Sequence, residues 1–447
     1  MRKAHFIGIG GAGMSAIAKV LLERGVEVSG SDLKRSRAAT VLQAMGAEVH
    51  VDGHDPSFVP QGATVVVSSA IPRDNPELLR AQQMRLEVLT RGEALAGVLE
   101  GVDPIVVAGT HGKTTTTSMI ATVLRHANTD PTYLIGGGLN ESGTNARHGT
   151  GPFAVAESDE SDGSFLLLHP FIGVVTNIEM DHPDHWHSLE DLREAFERFV
   201  AACRGAVVLP ADDADLIAAA STRVVTFGAG GDVRATDVRS HAGGASFDLD
   251  VGTEARPVQL RVPGEHNVAN AVAAAAACRV AGLGIDAITA GLSVYRGVER
   301  RFHLKGIAAG VTVIDDYAHH PTEVKATLSA ARSVAAARVI AVFQPHRYSR
   351  LAALHDAFAA SFGAADVLFV TDVFGAGESP VPGISGRLIA EGAAGGADGK
   401  PVFYVPHRND LAEAVAGTLR AGDLVITMGA GDITTLGDEL LARLRSR

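Results

Sequence analysis

The segment GTHGKTTTT at residues 109–117 carries glycines, a lysine and threonines in the order that binds nucleotide phosphates. It follows the apolar run PIVVA and precedes a helix-like segment, so it joins a predicted strand to a predicted helix. Backbone amides beside its glycines can face a phosphate, Lys113 can reach the β- and γ-phosphates, and Thr114 can place a hydroxyl on Mg²⁺. The spacing is shorter than the Walker pattern, which requires a glycine where Val107 stands. We predict a nucleotide loop here rather than an ordinary glycine- and threonine-rich helix start.

A second glycine motif, GIGGAG, also lies directly after a predicted strand and before a predicted helix. Gly8, Gly10 and Gly13 fit the G-x-G-x-x-G pattern, and Asp32 ends the next strand, where an acid that binds ribose is expected. By itself this motif predicts an NAD-dependent enzyme. Physically it predicts only that a pyrophosphate can bind at a helix N-terminus, and a tight turn without a ligand is the alternative.

Carboxylates and imidazoles follow two further predicted strands in the middle of the chain. Glu157 ends one strand within AVAESDESDGSF, and His182 follows the next within VVTNIEMDHPDHWH. Because ligand sites of α/β proteins form at the C-terminal ends of strands, these two side chains can hold Mg²⁺ between a nucleotide and a substrate. Most other acids of these segments are predicted to lie in solvated loops.

The segment GEHNVANA at residues 264–271 opens a predicted helix with one imidazole and two amides. The side chains of His266, Asn267 and Asn270 can contact an adenine edge or a phosphate. Capping of the helix by Asn267 is the alternative, and the segment alone favours it.

Two polar loops follow predicted strands in the last third of the chain, DDYAHHPTE at 315–323 and FQPHRYSRL at 343–351. The first supplies acids, a phenol and an imidazole: Asp315, Asp316, Tyr317 and His319. In the second, Arg347 and Arg350 share one face if the segment is helical, and arginines suit bidentate recognition of carboxylate or phosphate. Combined with the nucleotide loop, these segments predict a composite active site between domains.

The elements that carry these motifs are short β-branched strands alternating with helices rich in alanine and leucine. This pattern predicts an α/β architecture with parallel sheets. We expect three domains: a Rossmann-like N-terminal domain at residues 1–103, a central P-loop ATP-binding domain at 104–300, and a Rossmann-like C-terminal domain at 301–447.

Composition narrows the classes of function that the chain can serve. The formal net charge of −12 disfavours a broad basic face for nucleic acid. Two cysteines in 447 residues exclude a disulfide framework and fit a reducing cytosol. The sequence contains neither a signal peptide nor an uninterrupted apolar stretch of about 18 residues. We therefore expect a cytoplasmic protein without membrane insertion.

All these motifs, in this order, resemble the Mur ligase family. The resemblance runs from GIGGAGMSAIA to GAGDITTLG, and GTHGKTT looks like the short ATP loop of that family. In this family the Rossmann-like start is the site for the UDP part of the substrate. The strings GTHGKTTTT, DDYAHHPTE and FQPHRYSR are similar to those of the branch that joins L-alanine to UDP-N-acetylmuramate in peptidoglycan precursor synthesis. A relative that adds a peptide to UDP-N-acetylmuramate is the nearest alternative.

The resemblance implies a reaction and a set of residues for it. ATP phosphorylates the muramate carboxylate to an acyl phosphate, which the amino group of alanine then attacks. Catalytic roles are implied for Lys113, His182, His319, Arg347 and Arg350. ATP contacts are implied for Gly109, Thr110, His111, Gly112, Lys113, Thr114, Thr115, His266, Asn267, Asn270, Arg301 and Asp316. UDP-sugar contacts are implied for Gly8, Gly10, Gly11, Gly13, Met14, Ser15, Asp32, Ser69, Ala70 and Tyr317. The implied Mg²⁺ ligands are Thr114, Glu157 and His182.

One feature departs from several sister ligases, which hold a second Mg²⁺ with a carbamoylated lysine in the middle domain. This chain has no lysine between Lys113 and Lys305, so such a ligand is impossible here. The holder of a second metal ion stays open.

Two other functions remain as alternatives, and neither uses every motif. A nicotinamide-dependent dehydrogenase leaves GTHGKTTTT without a role, and a nucleotide-switched binding module leaves the histidine and arginine loops unexplained. The sequence is compatible with a monomer or a homodimer.

Overall fold

Runs of valine, isoleucine and alanine form short strands that are buried on both faces, as parallel sheets require. The fold is taken from a computed structural model, which describes residues 1–183, 185–241, 243–335, 337–395 and 399–446. Within these ranges, no helix combines the length and the apolar character that crossing a membrane would need.

The first sheet is built from residues up to Thr90. Its strands are β1 (Lys3–Ile7), β2 (Glu27–Asp32), β3 (Glu48–Val51), β4 (Thr64–Val67) and β5 (Val88–Thr90). The accompanying helices are α1 (Ala12–Glu23), α2 (Arg37–Ala44), α3 (Pro76–Gln83) and α4 (Arg91–Val98), with a 3₁₀ helix at Pro56–Phe58. The strands are all parallel, in the order β3-β2-β1-β4-β5. Strand order reverses between β1 and β4, which is where α/β sheets form ligand crevices.

The second sheet follows directly in the chain. Its strands are β6 (Asp103–Ala108), β7 (Thr132–Leu134), β8 (Ala146–Arg147), β9 (Phe153–Glu157), β10 (Ile172–Val175), β11 (Ala206–Pro210) and β12 (Arg223–Phe227). Its helices are α5 (Lys113–His126), α6 (Leu189–Ala201) and α7 (Ala214–Ala219), with a 3₁₀ helix at Ser164–Leu167. The order is β12-β11-β10-β6-β9-β7-β8, and only β8 pairs antiparallel. The end of β6 therefore lies between the ends of β9 and β10.

Two sheets occupy the rest of the chain. A small sheet contains β13 (Arg234–His241), β14 (Gly244–Asp250) and β15 (Ala255–Leu260), and α8 (Glu265–Val280) and α9 (Ile285–Val294) follow. The last sheet contains β16 (His303–Ala308), β17 (Val311–Asp316), β18 (Val339–Phe343), β19 (Val367–Val370), β20 (Val402–Tyr404) and β21 (Leu424–Met428). Its helices are α10 (Pro321–Val334), α11 (Tyr348–Ala359), α12 (Gly386–Ala394), α13 (Leu411–Thr418) and α14 (Leu436–Arg445). Short 3₁₀ helices lie at Ala360–Phe362, Arg408–Asp410 and Asp432–Thr435.

The strand order of the last sheet is β16-β17-β21-β18-β19-β20, with β16 antiparallel and the others parallel. Separate apolar clusters cover its two faces, one around Phe343 and one around Phe369. The C-terminal ends of β17 and β18 carry the two polar loops singled out in the sequence.

Contacts divide the chain into two compact units. The first contains Met1–Ile178, Leu192–Arg234 and Val272–Gly291, and the second contains Glu179–Asp191, Ala235–Ala271 and Leu292–Arg447. The prediction of an α/β fold with several parallel sheets is confirmed. The domain bounds 1–103, 104–300 and 301–447 stay a prediction.

Gly30 tests the close pairing of the first two strands. It lies opposite Phe6, and an added Cβ would stand 2.5 Å from the Phe6 carbonyl oxygen. We expect Gly30→Ala to lower the melting midpoint, at a cost of about 1–3 kcal/mol. Gly97→Ala on α4 is the matched control, because no atom lies within 4 Å of its added Cβ. Equal midpoints for the two variants would contradict the β1–β2 pairing.

Candidate active site

The loop between β6 and α5 is shaped by two glycines in left-handed backbone conformations. Gly109 has φ +132° and Gly112 has φ +79°, values that favour glycine over other residues. A Cβ at Gly109 would stand 2.1 Å from the hydroxyl oxygen of Thr176. The loop therefore needs glycine here for both its conformation and its close packing, and it leads directly into the N-terminus of α5.

Residues at the end of β10 hold this loop in place. Thr110 donates its amide to the Asn177 carbonyl (3.0 Å), and His111 donates its amide to the Asn177 side chain (2.9 Å). The Asn177 amide and the Thr176 hydroxyl both donate to the His111 carbonyl, at 3.0 and 2.6 Å. The sequence placed Asn177 after a strand but assigned it no role. Asn177 can support the loop only because β10 lies next to β6 in the sheet, and a linear motif does not reveal which strands are adjacent.

Lys113 folds its ammonium group back over the loop. Its Nζ donates to the carbonyls of Gly109 (2.6 Å) and Thr110 (3.0 Å) and to Oε1 of Glu160 (2.8 Å). Burial opposes the charged form, but Glu160 outweighs it and raises the pKa of Lys113. The lysine is therefore a fixed cation at the start of α5, where the helix dipole also favours an anion.

Thr114 and Glu157 form a pair of oxygen donors beside the same helix start. The Thr114 hydroxyl donates to Oε1 of Glu157 (2.8 Å), and Oε2 of Glu157 accepts the Gly136 amide (2.8 Å). A hydroxyl and a carboxylate are hard oxygen ligands, and Mg²⁺ in nucleotide sites usually takes one or two protein oxygens together with phosphate oxygens. The residues present therefore fit a Mg²⁺ ion at this point.

The acidic loop after β9, residues 157–162, is held by ion pairs and is partly buried. Asp159 and Asp162 both bind the guanidinium of Arg91, at 2.8 and 3.3 Å. Burial and the neighbouring Asp159 charge raise the pKa of Glu160 to about 7, against the lowering effect of Lys113. The expectation that most of these acids are solvated is wrong. No local signal identifies Arg91, since its partners lie 68 and 71 residues away.

The first glycine loop is held by the next strand of its own sheet. The amides of Gly8 and Ile9 donate to the Ser31 carbonyl, and the Gly10 amide donates to Oδ2 of Asp32 (2.9 Å). Gly11 precedes α1, which begins without a capping side chain. The acid predicted to bind ribose thus also fixes the loop that leads to the helix N-terminus.

The other residues predicted to contact nucleotides differ in how exposed they are to a ligand. The side chains of Met14 and Ser15 are buried; the Ser15 hydroxyl donates to the Ala12 carbonyl, and the Ser15 amide donates to the Gly11 carbonyl. Ser69 and Ala70 are exposed in the turn after β4, next to the end of β1. Thr115 is buried within the first turn of α5.

In the second unit, Asp316 at the end of β17 is tied to backbone amides. Its carboxylate accepts from Phe302 (2.6 Å) and Ala318 (2.7 Å). Burial raises its pKa to about 6, although Arg301 and these amides act in the opposite direction. Arg301 lies over the ring of Tyr317, 5.1 Å from its centroid. Asp316 therefore shapes the loop that presents Tyr317.

The amides of the GEHNVANA segment are largely buried. Helix α8 begins at Glu265, and the Asn267 side chain donates to the Pro263 carbonyl (2.6 Å). Asn267 therefore lies inside the first turn and is not a cap, so the capping alternative is wrong. Asn270 is also buried, and burial followed by the Arg301 charge lowers the pKa of His266 to about 4.

Aromatic and imidazole rings line the polar loops after β17 and β18. Tyr317 and His319 make an edge contact at 5.1 Å, and His319 approaches His346 at 6.0 Å. His319 donates Nδ1–H to the Tyr317 carbonyl (3.0 Å), with Glu323 at 3.2 Å from the same nitrogen. This contact fixes the tautomer of a neutral His319, so that Nε2 carries the lone pair.

The two arginines of FQPHRYSR differ in surroundings. Arg347 precedes α11 with φ +68°, so the condition for a shared helical face, a helical segment that includes both arginines, is not met. Its guanidinium lies 3.8 Å from Glu378. Arg350 is buried and binds both oxygens of Asp181, at 3.0 and 3.1 Å. Burial raises the pKa of Asp181, but Arg350 together with His182 and His319 holds this pKa well below its usual range.

His182 follows this buried pair directly. It has φ +54°, and its amide donates to Oδ1 of Asp181 (2.7 Å). The structure thus gathers Lys113, Thr114 and Glu157 in the first unit. It places the remaining predicted catalytic residues in the second: His182, His319, Arg347 and Arg350.

Family models match three consecutive parts of the chain. They are described as Mur ligase family, catalytic domain, over residues 3–102; Mur ligase middle domain, over residues 107–278; and Mur ligase, glutamate ligase domain, over residues 300–431.

Individual relatives match over almost the full length. The UDP-N-acetylmuramate–L-alanine ligase of Rubrobacter xylanophilus is 49% identical and covers 99% of this chain and 100% of the relative. That of Mycolicibacterium gilvum is 46% identical and covers 100% and 97%. The chain belongs to the Mur ligase family. The crystal structure of the UDP-N-acetylmuramate–alanine ligase of Thermotoga maritima superposes on this Mur ligase with a TM-score of 0.86 at 30% identity, covering 99% of both chains.

Membership in the Mur ligase family contradicts the dehydrogenase alternative. The G-x-G-x-x-G loop and Asp32 form the predicted helix start, but such a helix start can receive a pyrophosphate from nucleotides other than NAD. The ligand roles of the individual residues stay predictions.

We expect His346 to make this Mur ligase less stable in mild acid. Burial, then His319 and nearby arginines, lowers its pKa to about 3 from the ordinary 6.5. Between these values the folded state binds fewer protons than the unfolded state. Stability is therefore fully present above the ordinary pKa and falls as the pH drops toward the folded one. His346→Gln should lose less melting temperature than the wild type between pH ~7 and ~4.5. His355→Gln, at a more exposed histidine on α11, is the control, and equal acid sensitivity of all three proteins would contradict the prediction.

We expect the buried Arg350–Asp181 pair to contribute to the free energy of unfolding. Arg350→Met leaves a buried carboxylate without its cation, which typically costs about 3–5 kcal/mol. Arg350→Met combined with Asp181→Asn should cost less than Arg350→Met alone, as measured by urea unfolding in a double-mutant cycle. Lys3→Met is the control, because its pair with Glu27 is exposed. Additive losses from the two substitutions would show that the pair is not coupled.

Proposed function

We propose that this Mur ligase forms an amide bond between the carboxylate of UDP-N-acetylmuramate and the amino group of L-alanine, driven by ATP, in peptidoglycan precursor synthesis. The observation that carries the proposal is the loop at Gly109–Gly112, with Lys113 fixed over it and Glu157 on the Thr114 hydroxyl. The full-length relatives that carry this activity in their names support the choice of substrates.

The first step would be phosphoryl transfer. The amides at the start of α5 and the Lys113 ammonium bind the β- and γ-phosphates of ATP. A muramate carboxylate oxygen bonds to the γ-phosphorus while the bond to ADP breaks, which gives ADP and an acyl phosphate. Lys113 neutralises the charge that develops on the transferring group, and its contacts with the loop keep it in position beforehand.

The second step would be amide formation. The neutral amine of alanine bonds to the acyl carbon, the carbon–oxygen bond to phosphate breaks, and inorganic phosphate leaves. We assign Nε2 of His319 as the acceptor of the amine proton, because its Nδ1–H is committed to the Tyr317 carbonyl. Arg347 would contact the negatively charged oxygens of the acyl phosphate. Arg350 would act indirectly, by holding Asp181, which in turn accepts the backbone amide of His182.

Mg²⁺ is the metal that this donor set would hold. Thr114 and Glu157 supply a hydroxyl and a carboxylate side by side, and His182 is assigned as a further ligand from the family resemblance. When bound, the ion would neutralise phosphate charge and orient the phosphoryl group.

We also propose that the enzyme works in the cytoplasm, as a monomer or homodimer, where ATP and the UDP-sugar are available. The two cysteines, Cys203 and Cys278, are unpaired and buried, as a reducing compartment allows.

A phosphate-release assay tests the reaction. Release from ATP should require UDP-N-acetylmuramate and L-alanine together, and product mass should equal the sum of the two substrates minus one water. Replacing L-alanine with an alanine-containing peptide tests the related peptide-adding activity. Turnover with the peptide but not with alanine would select that alternative, and release without either acceptor would reject ligase chemistry.

Lys113→Ala should remove most of the turnover at saturating ATP. Loss of one contact that stabilises transition-state charge typically lowers kcat by about 10² or more. Lys325→Ala is the matched control, because its side chain is exposed on α10. Near-normal kcat in Lys113→Ala would remove Lys113 from the mechanism.

A further inference from the structure

Arg91 is placed by a rigid helix start in the first sheet's domain. It is the first residue of α4, and Thr90 caps this helix in a reciprocal capping box with Glu93. The Thr90 amide and hydroxyl donate to Glu93 at 2.7 and 2.8 Å. The next residue, Gly92, lets α4 pack closely on Ser164, since a Cβ there would stand 2.6 Å from the Ser164 Cβ. The backbone that carries Arg91 therefore has little freedom to move.

Arg91 lies close to both the acidic loop after β9 and the start of α1. One nitrogen, Nη2, binds Asp159 at 2.8 Å and Asp162 at 3.3 Å in the acidic loop after β9. On its other side, a Cβ added to Gly13 would stand 3.2 Å from both Cδ and Nη1 of Arg91. Gly13 belongs to the first turn of α1, directly after the first glycine loop.

Asp159 is also electrically linked to Lys113. It adjoins Glu160, whose carboxylate binds the lysine at 2.8 Å. Burial disfavours the Lys113 charge, but Glu160 and, more weakly, Asp159 raise the pKa of Lys113. Burial alone would raise the pKa of Asp159, yet Arg91, Ser161 and Lys113 together hold it well below its usual range. Asp159 therefore interacts electrostatically with two cations, and Arg91 is the one that it contacts directly.

We infer that Arg91 is a positioning residue for the ATP loop: by binding Asp159 it keeps this carboxylate away from Lys113 and leaves the lysine available to phosphate. The inference rests on the proposed function, in which Lys113 binds ATP. Without Arg91, Asp159 and Asp162 lose their compensating charge, and Asp159 joins Glu160 as a competitor for Lys113. Phosphate would then have to displace two carboxylates instead of one.

The contact with Gly13 extends the role of Arg91. The guanidinium that compensates the acidic loop is the same group that touches the start of α1, where the UDP pyrophosphate is proposed to bind. Arg91 thus lies next to residues of both predicted nucleotide-binding regions, although Arg91 itself belongs to none of the motifs.

The test is calorimetric titration with the β,γ-imido analogue of ATP and Mg²⁺, without UDP-sugar. Arg91→Met should weaken binding by about tenfold, a change typical of coupling between neighbouring sites. Adding Asp159→Asn to Arg91→Met should restore affinity to within about threefold of the wild type, because it removes the competing charge. Asparagine can still accept the Ser161 amide hydrogen bond that Asp159 makes at 2.9 Å, so the turn is kept.

Arg80→Met is the matched control, because Arg80 is exposed on α3, a helix that packs with the same first sheet as α4. Melting curves accompany each titration, and Arg91→Gln replaces Arg91→Met if methionine lowers the midpoint to the assay temperature, since glutamine keeps a donor but no charge.

Three results would overturn the inference while the wild type still binds the analogue. These are unchanged affinity in Arg91→Met, equal weakening in Arg80→Met, and no recovery in the double variant. Failure of the wild type to bind the analogue would instead reject the assignment of the ATP loop. A merely structural role predicts further loss on adding Asp159→Asn, so recovery separates the two explanations.

Discussion

The site in the first unit depends on how one buried ammonium group is compensated. Lys113 has three donors, and they go to two loop carbonyls and the Glu160 carboxylate. A charge removed from water in this way is tolerated only when such partners are supplied. The buried position of Lys113 therefore requires both the glycine loop, which supplies the carbonyls, and the acidic loop, which supplies Glu160. The left-handed glycines, the support from Asn177 and the position of β9 all follow from the need to bring those partners to one nitrogen.

Sheet order explains how distant segments reach that nitrogen. Strand β6 lies between β9 and β10, so the residues after each of the three strands meet at one edge. Glu157 and Glu160 come from the end of β9, and Thr176 and Asn177 from the end of β10. The last sheet repeats this logic, since Asp316 ends β17 while His346 and Arg350 follow β18. Parallel pairing thus converts sequence positions far apart into neighbours at the carboxyl ends of strands.

The α/β fold and the two glycine loops could be predicted because their signals are local. A β-branched strand, a glycine turn and a helix are contiguous in the chain, and Gly8, Gly109 and Gly112 adopt positive φ values that favour glycine. The ion pairs Arg91–Asp159 and Arg350–Asp181 could not be predicted, since each joins residues 68 or 169 positions apart without a periodic pattern. The interpretation of Asn267 as a cap failed for a related reason. Its segment resembles a helix start, but α8 begins two residues earlier and directs the amide to Pro263.

An acidic protein that binds two polyanionic nucleotides faces an electrostatic difficulty, which these ion pairs address. The chain carries a net charge of −12, yet Lys113, Arg91 and Arg350 each lie within 3 Å of a carboxylate oxygen. Because the cations are already compensated, they can be partly buried and fixed before any ligand arrives. A phosphate that bound Lys113 as proposed would exchange places with a carboxylate, so its affinity would be a difference between two strong interactions and not the whole of one. The carboxylates that compete for each cation therefore influence ligand binding as directly as the cations do, and the proposed role of Arg91 is one instance of this.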